Sequence, residues 1–111
     1  MRILLVGAGG VGDAIAKIAA RRSFFETMIV TDYDRGRAER TIEWIRNRHG
    51  DDIAGKFVAD AIDASSADNV AEVARRHGAT HVLNAVEPKF VPNVFAGALA
   101  ANADYMDMAM S

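Results

Sequence analysis

The chain contains no cysteine, which excludes disulfides, thiolate metal ligands and a cysteine nucleophile. It has no apolar segment near the roughly 18 residues that a membrane-spanning helix needs. Its amino terminus is too short and too rich in glycine to be a signal peptide. Neither sign of charge dominates, since 13 Lys and Arg face 15 Asp and Glu, and this balance speaks against nucleic-acid and membrane-surface partners. We therefore expect a cytoplasmic protein.

What is present is the composition of one ordinary globular domain. The 111 residues are 50% hydrophobic and 25% charged, which suffices for a single modest core. The chain stops at ADYMDMAMS, directly after a predicted strand and without a closing helix. There Met106, Met108 and Met110 alternate, as residues of a core or of an interface do. We expect residues 1–111 to be the amino-terminal domain of a longer, two-domain enzyme.

Apolar periodicity divides the chain into alternating strands and helices. Short runs rich in branched residues predict strands at residues 3–6, 27–31, 56–62, 80–84 and 103–107. Helical stripes lie between them, and Ser65 with Asp68 predicts a capping box at the third helix. Such alternation implies parallel strands joined by crossover helices. We predict an α/β, doubly wound (Rossmann) sheet of about five strands, ordered 3-2-1-4-5, with helices on both faces.

A glycine-rich segment, GAGGVG, joins the first strand to the first helix. In this G-x-G-x-x-G pattern, Gly7 permits a tight turn, Gly9 lets the backbone approach a diphosphate, and Gly12 lets helix and strand pack closely. Gly10 and Val11 help to open the helix, whose free N–H groups and positive dipole end attract phosphate. The alternative is a tight turn without a ligand, and the position between strand and helix favours a dinucleotide.

The choice of cofactor depends on charged residues after the second strand. About 20 residues beyond the glycines, Asp32 can accept hydrogen bonds from both ribose hydroxyls and repels a 2′-phosphate, which favours NAD. Arg35 and Arg37 favour NADP, since a guanidinium there could hold that phosphate, although both could equally lie on a solvated helix face. Asp34 is expected to cap the second helix. The cofactor is therefore NAD or NADP, with a slight preference for NAD from Asp32.

Two further strand ends carry candidate cofactor-binding residues. Asp63 follows the third strand, where side chains of this fold commonly flank the adenine, although it could be an ordinary strand-end carboxylate. Asn84, Ala85 and Val86 end the fourth strand beside the point at which strand order reverses, where open α/β sheets bind ligands. Small residues there would let a nicotinamide ribose lie close. The alternative is a buried strand end in which Asn84 satisfies loop backbone.

No catalytic constellation or metal site is apparent in the sequence. The three histidines lack metal-ligand spacing, so we predict no metal, and His49 and His77 are expected to interact with helix carboxyl ends. Tyr33 and Tyr105 both lack a lysine four residues later, so the Tyr-x-x-x-Lys pair of short-chain dehydrogenases is absent. The catalytic residues stay unknown.

A family resemblance is carried by four segments: ILLVGAGGVGDAIA, VTDYDRGRAER, AIDASSADNVAEVARRHGATHVLNAVEPKF and GALAANADYMDMAM. Together they resemble the amino-terminal nucleotide-binding domain of the saccharopine dehydrogenase family, which includes saccharopine reductases and carboxynorspermidine dehydrogenases. Many families share the glycine turn. The Asn-Ala-x-x-Pro turn followed by Tyr-x-Asp is more discriminating.

The resemblance implies an oxidoreductase that passes a hydride between NAD(P) and a secondary amine or imine of an amino-acid substrate. A second domain would handle the substrate and form a homodimer. By position, the glycine turn would hold the diphosphate, and Asp32, with Arg35, would select the ribose. Asp63 would lie near the adenine and residues 84–86 near the nicotinamide. The family is usually associated with NADP, and Asp32 departs from that pattern.

A non-enzymatic domain of another class is also compatible with part of the pattern. NAD(H)-sensing regulatory domains of the potassium-transport type likewise begin with a strand, G-x-G-x-x-G and a second strand that ends in an aspartate. The proline turn at Val86-Glu87-Pro88 and the Tyr105-x-Asp107 end argue against that class. If the chain is a domain of an enzyme, we expect residues 1–111 alone to bind a dinucleotide without catalysing a reaction.

Overall fold

The computed structural model describes residues 1–107, so Met108 and Met110 lie outside the described residues. One sheet contains five strands: β1 Arg2–Val6, β2 Thr27–Asp32, β3 Phe57–Ala61, β4 His81–Asn84 and β5 Asp104–Asp107. All neighbouring strands are parallel, and their order is β3-β2-β1-β4-β5. The predicted doubly wound α/β fold and its strand order are confirmed.

Helices cover both faces of the sheet. They are α1 Gly10–Ala19, α2 Arg35–His49, α3 Asp51–Ala54, α4 Ala67–Arg76 and α5 Val91–Ala100, with a short 3-10 turn at Pro88–Phe90. Helices α1 to α3 pack against one face, which includes Leu5 and Val30, and α4 and α5 pack against the other, which includes Leu4 and Ile29. Since both faces are buried, the central strands are continuously apolar. No helix within residues 1–107 is long and apolar enough to cross a bilayer.

The helix ends agree with the sequence in one case and differ in another. Asp34 caps α2 as predicted, because its Oδ1 accepts a hydrogen bond from the N–H of Gly36 at 2.8 Å. The capping box predicted at Ser65 is wrong by one residue, since Ser66 is the N-cap of α4 and accepts from the N–H of Asn69. Ser65 bonds to Asp63 instead, through both its N–H and its hydroxyl. The chain after α2 forms the short helix α3, which the sequence did not predict.

One part of the sheet is uncovered among the described residues. On the α1 side of β4 and β5, the side chains of Ile18, Phe24 and Met106 are 55%, 60% and 63% exposed. They border an apolar cavity of about 410 Å³ whose floor includes Ile3 and Leu83. Parallel sheets are normally covered on both faces, so this face differs from the rest of the sheet.

A buried carboxylate joins the edge strand β3 to α4. Asp60 is 9% exposed, and its Oδ2 lies 2.9 Å from Nη1 of Arg76 and 2.7 Å from Nε2 of His77. The N–H of Ala61 donates to its Oδ1. Burial raises the pKa of Asp60, but the hydrogen bonds from His77, Ala61 and Arg76 outweigh burial and hold that pKa below its ordinary value. The His77 ring, predicted to interact with a helix end, thus contacts β3.

We expect Asp60→Asn to lower the free energy of unfolding at pH 7 by about 2 kcal/mol, because charge-assisted hydrogen bonds to a buried group are lost. Because the pKa of Asp60 in the folded state is lower than its ordinary value of 3.8, the ionised carboxylate stabilises the fold at pH values above 3.8. This stability is lost as the pH falls through the lowered pKa of the folded state. Urea denaturation at pH 7 and pH 3 should therefore show a smaller difference between wild type and variant in acid. Asp52→Asn, which removes an exposed carboxylate, is the control. A difference of equal size at both pH values would contradict this account.

Candidate functional site

The glycine turn between β1 and α1 has a backbone that only glycine allows. Gly7 has a φ of +102°, a conformation that L side chains rarely adopt. A Cβ on Gly7 would lie 2.7 Å from Cγ1 of Val86, and a Cβ on Gly12 would overlap the carbonyl oxygen of Gly7. The predicted tight turn and the close packing of helix on strand are both present.

The amino terminus of α1 is open in front of this turn. A Cβ on Gly10 would meet no atom within 4 Å, and one on Gly9 would meet only Nη1 of Arg37, at 4.0 Å. Gly9 is the N-cap and supplies no side-chain cap, so the first N–H groups of α1, including that of Val11, have no capping oxygen among residues 1–107. Free N–H groups at the positive end of a helix dipole bind phosphate. The arrangement therefore fits the diphosphate of a dinucleotide.

Asp32 holds the turn against the end of β2. Its Oδ1 accepts from the N–H of Ala8 at 2.9 Å, and its Oδ2 accepts from the N–H of Asp34 at 3.0 Å. The N–H of Gly7 donates to the carbonyl of Thr31 at 2.9 Å. The carboxylate thus lies at the glycine turn, and each of its oxygens has a further lone pair for a ribose hydroxyl.

Two clefts flank the end of β2. One, of about 510 Å³, lies between the glycine turn and α2, and its wall includes Gly9, Arg37, Arg40 and Trp44. The other, of about 220 Å³, lies toward β3 and is lined by residues that include Tyr33, with Ala61, Ile62, Asp63 and Asn69. A flat base fits the second cleft, and an anion fits the first, since Arg37 has no ion pair among the described residues.

The remaining residues predicted on the adenosine side are placed differently from one another. Asp63 lines the cleft toward β3, and hydrogen bonds from the hydroxyl and N–H of Ser65 lower its pKa. Arg35 is the first residue of α2, and its Nε lies 4.0 Å from the carboxylate of Glu39, an exposed pair along the helix. No hydrogen bond or ion pair within residues 1–107 joins Arg35 to the glycine turn, whereas Arg37 lies beside Gly9.

The end of β4 packs directly against the glycine turn. The N–H of Ala85 donates to the carbonyl of Val6 at 2.8 Å, and the Ala85 Cβ would lie 3.6 Å from a Cβ on Gly12. Asn84 is fully buried and accepts from the N–H of Val86 at 3.0 Å through its Oδ1. Residues 84–86 therefore form a wall of the crevice at the carboxyl ends of β1 and β4, where strand order reverses.

Sequence reasoning missed several residues at these clefts. Tyr33 is 82% exposed, and an exposed aromatic side chain directly after a buried strand was a usable signal. Two other contacts depend on tertiary packing and left no signal in the local sequence. One is the hydrogen bond between Asp32 and Ala8, and the other is the contact of Lys17 with Trp44, in which the Lys17 Nζ lies 4.5 Å from the ring centroid. The part of the chain that the structure describes contains no group of three or more His, Asp or Glu side chains that could hold a metal ion.

Comparison with known proteins identifies the family. The sequence matches the family model described as the saccharopine dehydrogenase NADP binding domain over residues 3–111. The chain belongs to this family. The resemblance inferred from the sequence is confirmed, and the chain is a nucleotide-binding domain of the saccharopine dehydrogenase-like oxidoreductase family. The potassium-transport alternative is not favoured by these comparisons. No curated protein sequence matches the chain significantly.

Solved structures share the fold of this saccharopine dehydrogenase-family domain. Apo saccharopine dehydrogenase (L-Glu forming) from Saccharomyces cerevisiae has a TM-score of 0.75 at 16% identity, and the match covers 99% of this chain and 22% of that one. Escherichia coli tRNA N6-threonylcarbamoyladenosine dehydratase in complex with AMP has a TM-score of 0.70 at 22% identity, covering 96% and 49%. Quinate dehydrogenase from Corynebacterium glutamicum in complex with NAD has a TM-score of 0.58 at 20% identity, covering 94% and 43%. The chain thus spans about one fifth of the yeast enzyme.

The packing of the turn predicts opposite outcomes for two neighbouring glycines. Gly12→Ala should lower the free energy of unfolding by about 3 kcal/mol, because the new methyl group overlaps a backbone carbonyl that cannot move freely. Gly10→Ala, whose Cβ would meet nothing within 4 Å, should change it by less than about 1 kcal/mol. Chemical denaturation of both variants measures the difference. Equal destabilisation would show that the helix does not approach the strand at Gly12.

Proposed function

We propose that this domain is the cofactor-binding half of an oxidoreductase that transfers a hydride between NAD(P) and a secondary amine or imine of an amino-acid substrate. The observation that carries the proposal is the bare amino terminus of α1, where Gly9 and Gly10 leave the backbone uncovered. A helix start without side chains in front of it permits the backbone contact that a diphosphate needs. The family membership given by residues 3–111 supports the redox assignment.

In the proposed position, the cofactor extends from the cleft toward β3, across the start of α1, to the end of β4. The diphosphate lies on the N–H groups at the start of α1, formed by Gly9, Gly10, Val11 and Gly12. The adenine lies in the cleft between Tyr33 and Asp63. The nicotinamide lies toward Gly7 and the wall formed by residues 84–86. When bound, the nicotinamide ring supplies or accepts the hydride, and the residues of this chain orient it.

We propose that the ribose site prefers NAD(H), with Asp32 as the discriminating residue. Its carboxylate lies at the glycine turn, bonded to the N–H of Ala8, and its charge opposes a 2′-phosphate. Arg37 is the guanidinium beside Gly9 and is the group that would hold a 2′-phosphate, more so than Arg35, which pairs with Glu39. The negative charge of Asp32 repels a 2′-phosphate and the positive charge of Arg37 attracts it. Asp32 is held in place by its bond to the turn, so we expect its effect to be the larger.

The substrate-binding residues are proposed to lie in a second domain of a longer, homodimeric enzyme. The match to the yeast enzyme covers 22% of that protein, and this chain offers no catalytic constellation among its described residues. The uncovered apolar face over β4 and β5 supports further polypeptide packing on the sheet, since parallel sheets bury both faces.

Calorimetry with NADH and NADPH tests the cofactor assignment. We expect wild type to bind NADH more tightly, and Asp32→Asn to raise the NADPH to NADH affinity ratio by about fivefold, because the variant removes a charge near the 2′-phosphate. Asparagine keeps one oxygen that can accept from the N–H of Ala8 but loses the acceptor for the N–H of Asp34, so the ratio of the two affinities is compared and not either affinity alone. Asp52→Asn on α3 is matched in charge but lies at the opposite end of the sheet, and it should leave the ratio unchanged.

Two results would contradict these proposals separately. If neither nucleotide binds at millimolar concentration, the cofactor site is wrong. If NADH and NADPH both bind and Asp32→Asn changes their ratio no more than Asp52→Asn does, Asp32 does not discriminate between them.

A further inference from the structure

A continuous chain of hydrogen bonds crosses from β5 to the turn after β4. The Oδ1 of Asn84 accepts from the N–H of Val86 at 3.0 Å, and the Nδ2 of Asn84 donates to the hydroxyl oxygen of Tyr105 at 3.1 Å. The Tyr105 hydroxyl in turn hydrogen bonds to the Asp107 carboxylate. Asn84 pairs with Asp107 in the β4–β5 ladder, so adjacent strand ends supply the members of the chain.

The chemistry of the side chains decides which group donates and which accepts each of these hydrogen bonds. An ionised carboxylate only accepts, so the Tyr105 hydroxyl donates to Asp107 and accepts from Asn84. The amide of Asn84 is thereby fixed, with its oxygen toward Val86. Burial raises the pKa of Tyr105, the hydrogen bond from Asn84 lowers it, and the hydrogen bond to Asp107 and the negative charge of that residue raise it. The phenol, already protonated at neutral pH, therefore remains a donor. Asn84 is fully buried, so it acts on the site through Val86.

The turn at residues 85–86, which these hydrogen bonds fix, is also in contact with the glycine turn. Cγ1 of Val86 lies 2.7 Å from the position of a Cβ on Gly7, and the Ala85 backbone lies 3.3 Å from it. The Tyr105 ring is held from its other side by Phe95, whose ring centroid lies 5.3 Å away in an edge-to-face arrangement. A shift of the Asn84 amide would therefore move the wall that faces the crevice.

We propose that Tyr105 and Asn84 are positioning residues that set the turn at residues 85–86 for the nicotinamide end of the cofactor. The proposal rests on the function proposed above and adds that recognition of the nicotinamide depends on a group on β5. Neither side chain needs to contact the cofactor. Tyr105 acts through Asn84, and Asn84 acts through the backbone of Val86.

Comparison of NADH with ADP-ribose separates this role from a general effect on the fold. ADP-ribose keeps the diphosphate and both riboses but lacks the nicotinamide. By calorimetry, Tyr105→Phe should weaken NADH binding about fivefold and change ADP-ribose binding by less than about twofold, since one hydrogen bond in the chain is lost while the ring remains. Asp107→Ala, which removes the acceptor of the Tyr105 hydroxyl, should give the same selective loss.

Asp104→Ala is the matched control, because it removes an exposed carboxylate at the opposite end of the same strand and leaves the bonds of Asn84, Tyr105 and Asp107 in place. It should leave the ratio of NADH to ADP-ribose affinity at the wild-type value. An unchanged ratio in Tyr105→Phe would overturn the positioning role, as would equal affinities for the two ligands in wild type, and both results would leave the dinucleotide site intact. Failure of wild type to bind either ligand would overturn the proposed function itself.

Discussion

The contact between the start of α1 and the end of β1 is the constraint on which the site depends. Gly12 lies so close to the carbonyl of Gly7 that any side chain would overlap it. This approach places the positive end of the helix dipole directly above the carboxyl edge of the sheet. The positive φ of Gly7 turns the chain within a few residues, and the side chain of Val86 fills the space that a larger residue at Gly7 would need. Helix, strand and neighbouring turn are thus fixed relative to one another.

Two side chains of opposite charge lie at this edge of the sheet and have different roles. Asp32 binds two backbone N–H groups of the surrounding turns, which stabilises the conformation of the glycine turn while leaving a negative charge beside it. Arg37 supplies a positive charge on the other side of Gly9. A phosphate on the helix start benefits from the dipole, whereas a second phosphate on the ribose would meet both Asp32 and Arg37. Under the proposed function, Asp32, which stabilises the turn, also influences which dinucleotide the turn accepts.

Much of the fold could be predicted because its signals are local. Continuous apolar strands, helical stripes and the cap at Asp34 each depend on residues close in sequence, and alternation then limits the topology. The site was predictable where a motif has a fixed backbone role, as at Gly7 and Gly12. Features that join distant segments were not: Asp60 meets His77, and Asn84 meets Tyr105, only because strand register and helix packing bring them together. The shift of the cap from Ser65 to Ser66 reflects competition, since Asp63 binds the hydroxyl of Ser65.

The most direct test of the central claim is a ¹⁵N–¹H correlation titration of the 111-residue chain with NADH. If the start of α1 is the diphosphate site, the largest shifts should occur at the amides of Gly9, Gly10, Val11 and Gly12, whose N–H groups would gain phosphate acceptors. Smaller shifts should follow at Tyr33 and Val86 on the two sides of the turn. Saturable binding that leaves the amides of residues 9–12 unmoved would contradict the account.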